Sequence, residues 1–264
     1  MIMVSLIKLF YVTVSILQIT NCLSADLEER TTAQATSPRH KALAPEAIAL
    51  FSGNQLHSKI IKMAIGQYSH VSIVVRDCDT QQRYYLDVVS NMDLIVPFFT
   101  GKDIPSHLSL RPYDEHSRTY SGEVYERPLI FHEGYNPNPE DFSALIHRLW
   151  NNSYTANFKG IIKGIRKQHT EDIPNFMHCS KFVAHILKEL RYLPFDFIGE
   201  NCFAGDFAGT NQLPLQNVQL GEIKVIKRTC SPSPSLTSKA VHFSLTAIIP
   251  LLGSWGAYSY FFGN

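Results

Sequence analysis

Residues 68–89 constrain the fold more than any other stretch of this chain. Tyr68-Ser69-His70-Val71-Ser72-Ile73-Val74-Val75 is rich in β-branched residues and reads as a strand. Alternation puts Val71, Ile73 and Val75 on one face and His70, Ser72, Val74 and Arg76 on the other. A polar turn, Asp77 to Gln82, leads into Arg83-Tyr84-Tyr85-Leu86-Asp87-Val88-Val89, a second strand. The pair predicts an antiparallel hairpin. A loop with an even number of residues sets His70 and Asp87 on one face; an odd loop separates them. Aspartate is disfavoured in strands, so Asp87 asks for a reason. Beside His70, its carboxylate would orient the imidazole and favour the charged form.

The second constraint is the stretch Asn175 to Leu190. Phe182, Val183, Ile186, Leu187 and Leu190 recur at helical spacing and form one apolar stripe, with Lys181, His185, Lys188 and Glu189 mostly opposite. Pro174 and Pro194 bound the helix. Cys179 then falls in the first turn, where free N–H groups and the positive end of the helix dipole favour a thiolate, the nucleophilic form. The same N–H groups suit an oxyanion. The plain alternative is a buried cysteine that happens to begin a helix.

The chain has 264 residues, 45% hydrophobic and 18% charged, with formal net charge +1, which leaves no electrostatic case for nucleic-acid binding. Five cysteines are too few for a disulfide scaffold. With Cys22 in a targeting segment and Cys179 free, at most one internal disulfide remains among Cys78, Cys202 and Cys230; Cys202–Cys230 is one pairing. No spaced ligand cluster suggests a metal, and no cofactor is expected.

Residues 1–25 read as a secretory signal, with Lys8, an apolar run from Leu9 to Ile19 and Leu23-Ser24-Ala25 as a cleavage site; a signal anchor is the rival. Residues 26–44 are a polar, disordered linker, and a domain follows over 45–228. Within it, Ala47-Ile48-Ala49-Leu50-Phe51 is a short strand and Ser58 to Ile65 a helix. Leu94 to Phe99 is a strand that Pro97 places at an edge, and Val124-Tyr125 is a further short strand. Asn138-Pro139-Glu140-Asp141 starts a helix whose apolar face is Phe142, Leu145, Ile146 and Leu149. Asn151-Asn152-Ser153 is a glycosylation acceptor in a eukaryotic source. The basic run around Lys159 to Lys167 reads as a solvated face, with membrane-surface contact as the lesser alternative. Phe195 to Gln216 is loop-rich, and Gly221 to Ile226 is a last strand. Residues 229–239 form a stalk. Residues 240–264 are an apolar tail, either a lipid-anchor signal or a membrane segment. A secreted or surface-anchored protein is expected.

Four stretches resemble the circularly permuted papain-fold hydrolases of the NlpC superfamily, especially the YiiX/YaeF-like group. Ala49-Leu50-Phe51-Ser52-Gly53 is similar to the opening strand and turn, and Tyr68 to Val74 to the strand of the catalytic histidine. His178-Cys179-Ser180-Lys181-Phe182-Val183-Ala184 resembles the family's Cys-Ser-Glu-Leu-Val-Ala helix start, and Ala204-Gly205-Asp206-Phe207 its downstream Pro-x-Asp-Phe segment. The order His, acid, Cys is the permuted one.

The resemblance implies an α+β fold of permuted papain-like type, an antiparallel sheet packed on the helix that bears the nucleophile. It implies Cys179 as nucleophile, His70 as base and Asp87 in the place of the group's usual Glu. Lys181 replaces the usual Glu after Cys-Ser, at the rim; His178 is a rim residue, and Tyr68 and Ser180 stand near the oxyanion. The chemistry is amide cleavage through a thioester, on a peptide or peptidoglycan-like substrate. A lipid substrate is the alternative: the lecithin:retinol acyltransferase relatives share the permuted order and the apolar tail, but carry a second His where this chain has Asp87. A surface protein that keeps the fold without activity is the third reading.

Overall fold

The computed structural model describes residues 42–90, 103–209 and 213–228. The chain divides into two units after Lys227, and apart from Arg228 all described residues lie in the first. The expected signal, most of the linker, the strand Leu94–Phe99, the stalk and the apolar tail lie outside the described residues.

Eight strands make one sheet in the order β6-β4-β3-β2-β1-β5-β7, with β8 also paired to β5. They are β1 (Leu43–Gly53), β2 (His70–Asp77), β3 (Arg83–Ser90), β4 (Ile104–Pro112), β5 (Gly122–Phe131), β6 (Tyr154–Ala156), β7 (Val218–Leu220) and β8 (Lys224–Lys227). All their pairings are antiparallel. The helices are α1 (Leu56–Ile65), α2 (Tyr113–Thr119), α3 (Pro139–Trp150), α4 (Phe158–Ile165) and α5 (Cys179–Glu189). Two 3-10 turns follow, Gly199–Asn201 and Ala204–Phe207. The class is α+β with an antiparallel sheet, as expected.

The alternation read in β2 separates two cores. Val71, Ile73 and Val75 lie in one cluster with Leu86 and Val88 of β3, Phe182, Val183, Ile186 and Leu187 of α5, and Phe142 and Ile146 of α3. Val74 and Tyr85 face the other way, into a smaller cluster with Phe51, Val124 and Tyr113 of α2. Side chains at positions two apart share a face, so one strand serves both layers. Asn138 caps α3 by accepting from the Glu140 N–H at 2.9 Å, and Pro139 takes the first helical position, as its sequence predicts.

β1 is longer than the short strand expected. It takes in Leu43 and Ala44, assigned above to the linker, because Leu43 is fully buried and pairs with Asp77. The register shifts between Pro45 and Ala47, which turns the Glu46 carboxylate toward Arg76 and Arg83. β5 likewise runs well past Val124-Tyr125, held from β1 on one side and β7 and β8 on the other. The last strand is two short ones, β7 and β8, with Gly221 between them.

Candidate active site

The hairpin decides the first pairing. Arg76 lies opposite Arg83, so six residues separate the two strands there, an even number. His70 and Asp87 therefore share a face, and His70 Nε2 stands 2.8 Å from Asp87 Oδ2. Asp87 is fully buried, while the His70 side chain keeps 23% of its surface exposed. Because Nε2 is taken by the carboxylate, Nδ1 is the ring nitrogen left for a further partner.

That partner is Cys179, the first residue of α5, which is partly exposed. α5 packs its stripe on β2 and β3, which brings its N-terminus to the end of the sheet where His70 begins β2. Burial works against ionising the thiol. The charge of His70, then hydrogen bonding from His178 and His70, more than offset it and hold the thiol well below its ordinary value. His70 responds in kind: burial opposes its charge, but the thiolate and Asp87 raise it to about 9. Asp87 is drawn down to about 2 against the cost of burial, chiefly by Arg111 and then by His70. The three expected residues thus form one chain of charges, thiolate, imidazolium, carboxylate. Cys202 behaves oppositely. It is a free, buried thiol that burial and Asp206 push well above the ordinary value.

His178 is more than a rim residue. It is the N-cap of α5, its Nδ1 accepting from the Lys181 N–H at 3.3 Å. An accepting Nδ1 leaves the neutral ring's proton on Nε2. The ring stacks on Phe203 at 5.4 Å, with planes 9° apart. Ser180 is buried, its Oγ 3.8 Å from Cys179 Sγ. Tyr68 is engaged away from the expected oxyanion role: its ring lies edge-on to Tyr125 at 5.4 Å, and its hydroxyl answers to burial, Arg127 and Glu123. Tyr120 lies nearer the thiol's influence: burial pushes it up to about 12, with hydrogen bonds to Ser69 and Ser58 acting the other way and the Cys179 charge adding a minor upward push. A Cβ at Gly53 would lie 2.8 Å from the Tyr120 hydroxyl and 2.4 Å from Ser58 Oγ, so β1 ends in glycine where these hydroxyls close in.

Lys181 departs from the expectation of a rim position. It is 6% exposed and donates to the Glu200 carboxylate and, at 2.7 Å, to the Ile173 carbonyl. Glu200 is fully buried and also accepts from the Ile173 N–H. Asp172 receives Lys188 and the Gly199 N–H at 2.9 Å. A residue expected at the rim is covered because the turn Gly199–Asn201 folds back over the polar side of α5. The basic run is exposed as expected at Lys159, Lys163, Arg166 and Lys167, although Lys167 also reaches Asp206 at 3.1 Å.

Two more residues of the site, besides Tyr120 and Glu200, had no counterpart in the sequence reading. Arg111 of β4 donates to Asp87 Oδ2, the same oxygen that meets His70. His116 of α2 lies with Nδ1 3.5 Å from an Arg111 nitrogen, and burial, then Arg111, hold it down to about 3, neutral.

No protein-family model matches the chain, and no curated protein matches it. Among the described residues no group of three or more His, Cys, Asp and Glu is placed to hold a metal, and no helix is long and apolar enough to cross a membrane.

Proposed function

We propose that this chain is a cysteine-dependent hydrolase of amide bonds on a permuted papain-like fold. Cys179 is the nucleophile, His70 the acid and base, and Asp87 the group that orients His70. The observation that carries the reading is the thiol at the start of α5 meeting an imidazole whose other nitrogen is 2.8 Å from a buried carboxylate. The order of the parts along the chain, His strand, acid strand, Cys helix, supports the permuted arrangement.

The steps follow from the charges. The Cys179 sulfur attacks the substrate carbonyl carbon, and the oxygen takes the negative charge. In the first turn of α5 the Lys181 N–H goes to His178 Nδ1, and the N–H groups of Cys179 and Ser180, which have no carbonyl partner within the helix, are the ones to receive it. His70 passes its Nδ1 proton to the leaving nitrogen, the C–N bond breaks, and a thioester remains on Cys179. His70, now neutral, takes a proton from water; the hydroxide adds to the thioester and the thiolate leaves. The substrates are peptide or peptidoglycan-like amides met outside the cell or at its surface. The carboxylate at position 87 favours this reading over lipid acyl transfer, whose relatives carry a histidine there.

The test is trapping of the acyl-enzyme. The full chain is mixed with peptide amides, peptidoglycan fragments or phospholipid vesicles, quenched in acid, and the mass of the Cys179 peptide is read. An acyl adduct with release of amine, absent in Cys179→Ser, supports the reading. An adduct from vesicles alone moves the substrate to lipid. No adduct from any class, together with an ordinary thiol titration, overturns the enzyme reading.

A further inference from the structure

The triad has a charge problem that the fold solves. When the thiol loses its proton to solvent beside an imidazolium at His70, Cys179 carries one negative charge, His70 one positive and Asp87 one negative, where before ionisation the imidazolium and the carboxylate cancelled. The sum is a net negative charge around a fully buried carboxylate. Buried net charge is costly, and the simplest relief is to keep the proton on sulfur. Thiol enzymes of the papain type avoid this with a neutral asparagine as the orienting group. Here the orienting group is charged, but it does not stand alone. Arg111 reaches across from β4 and donates to Asp87 Oδ2, the oxygen that His70 also meets.

We propose that Arg111 is a positioning residue of the site: it fixes Asp87 Oδ2 against His70 and supplies the fourth charge that brings the ionised Cys179–His70–Asp87 cluster to neutrality. The inference rests on the triad reading above and deepens it. Asp87 and Arg111 together do the work of one neutral hydrogen-bond acceptor.

The other groups facing the cluster leave this balance intact. His116, on α2, is held neutral by burial and by Arg111, with Lys227 of β8 adding to the effect. Tyr120 and Cys202 feel the thiolate and are both held protonated, chiefly by burial. His178 faces the thiol as a cap whose Nδ1 accepts from the backbone.

The experiment is the rate of iodoacetamide alkylation of Cys179 against pH on the full chain, read as the mass of the Cys179 peptide. The buried Cys202 serves as the slow internal reference. Four proteins are compared: wild type, Arg111→Met, Asp87→Asn and the double variant. Wild type ionises well below the free-thiol value of about 8.5. Arg111→Met loses roughly tenfold or more in the thiolate-to-thiol ratio on the acid side. The double variant, with neither charge, returns to within about threefold of wild type on the same ratio. A merely structural arginine predicts that the double variant is no better than Arg111→Met, and that result overturns the proposal. So does a wild-type profile in Arg111→Met. An ordinary thiol in wild type overturns the triad reading as well, which separates the two failures. If Arg111→Met does not fold, the double variant decides, since it buries no unpaired charge: an acidic thiol supports charge balance and an ordinary one refutes it.

Discussion

Replacing Lys181 with methionine is the most informative change outside the proposed catalytic residues, because it strips the charged partner from a fully buried carboxylate. Lys181 donates to Glu200 and to the Ile173 carbonyl, and Glu200 has no exposed surface. Removing one member of a buried ion pair costs about 3–5 kcal/mol. Glu200 has another route, which is to take up a proton. Burial, and then the neighbouring Asp172, already hold its carboxyl above the ordinary 4.5. Protonating it in the folded state costs about 1.4 kcal/mol for each pH unit above that ordinary value. At about pH 5.5 the penalty of Lys181→Met is therefore capped near 1.4 kcal/mol, and at about pH 8 the cap rises to about 4.8 kcal/mol, within the range of the broken pair.

The sign follows from linkage. In the variant the folded-state value for Glu200 rises further above the unfolded one, so the folded protein binds more protons than the unfolded. Its stability falls as pH rises from the unfolded value toward the folded one. Urea unfolding of wild type and Lys181→Met at both pH values measures this. The expected result is a loss roughly 2–3 kcal/mol larger at about pH 8 than at about pH 5.5. Equal losses at the two pH values, or a loss under about 1 kcal/mol at the higher one, refute the reasoning. The double change Lys181→Met with Glu200→Leu leaves no buried charge and is expected within about 1 kcal/mol of wild type.

Amide hydrolysis is expected to follow a bell in pH: the acid limb lies well below neutrality, where the thiol ionises, and the alkaline limb falls at about 9, where His70 loses its proton; steady-state rates across pH on one peptide amide check it. Asp87 is drawn from 3.8 to about 2, so it contributes stability above the unfolded value that is lost as pH falls through the folded one. That contribution is about 2 kcal/mol, and an acid-unfolding midpoint shifted upward in Asp87→Ala is its sign. His178→Ala removes the cap of α5 at a cost of about 1 kcal/mol, while His178→Asn keeps a side-chain acceptor and most of the stability; thermal melts of the two distinguish them. Phe182→Ala empties the fully buried centre of the larger core and costs about 3–5 kcal/mol in urea unfolding.

The parts of the site that were legible are those that depend on local periodicity. His70 and Asp87 could be paired because a strand alternates with period two and the turn between them has a countable length. Cys179 could be placed because the apolar stripe of α5 fixes where the helix starts. Arg111 could not, because β4 contains Pro105 and Pro112 and shows only Ile104, Leu108 and Leu110 as apolar signal. Its place beside β3 is set by tertiary pairing, from Tyr84 with Pro112 to Ser90 with Ser106. Lys181 was misjudged for a related reason. A charged residue on a helix is usually solvated, and nothing near it in sequence announces Glu200, nineteen positions on, folding back to cover it. Tyr120 shows the same limit: it meets the thiol's surroundings through Gly53 and Ser69, both distant along the chain.

The electrostatics of α5 tie these observations together. A helix N-terminus favours an anion, and α3 meets that demand with Glu140 and Asp141 in its first turn. α5 has no acid in its first turn, and its first residue is the thiol. A lysine at position 181 would ordinarily oppose the dipole there, but Glu200 arrives from the 3-10 turn and neutralises it. The anion that the helix end still lacks is then the thiolate itself. On the sheet side Arg111 cancels Asp87 in the same way. Each neighbour of the pair is thus matched by a charge of opposite sign, and the unpaired charges left facing each other are those of Cys179 and His70. On this reading a thiol in that position is expected to ionise because the charges around it are balanced, which makes the alkylation profile of Arg111→Met, and not the loss of any single hydrogen bond, the sensitive measure of the site.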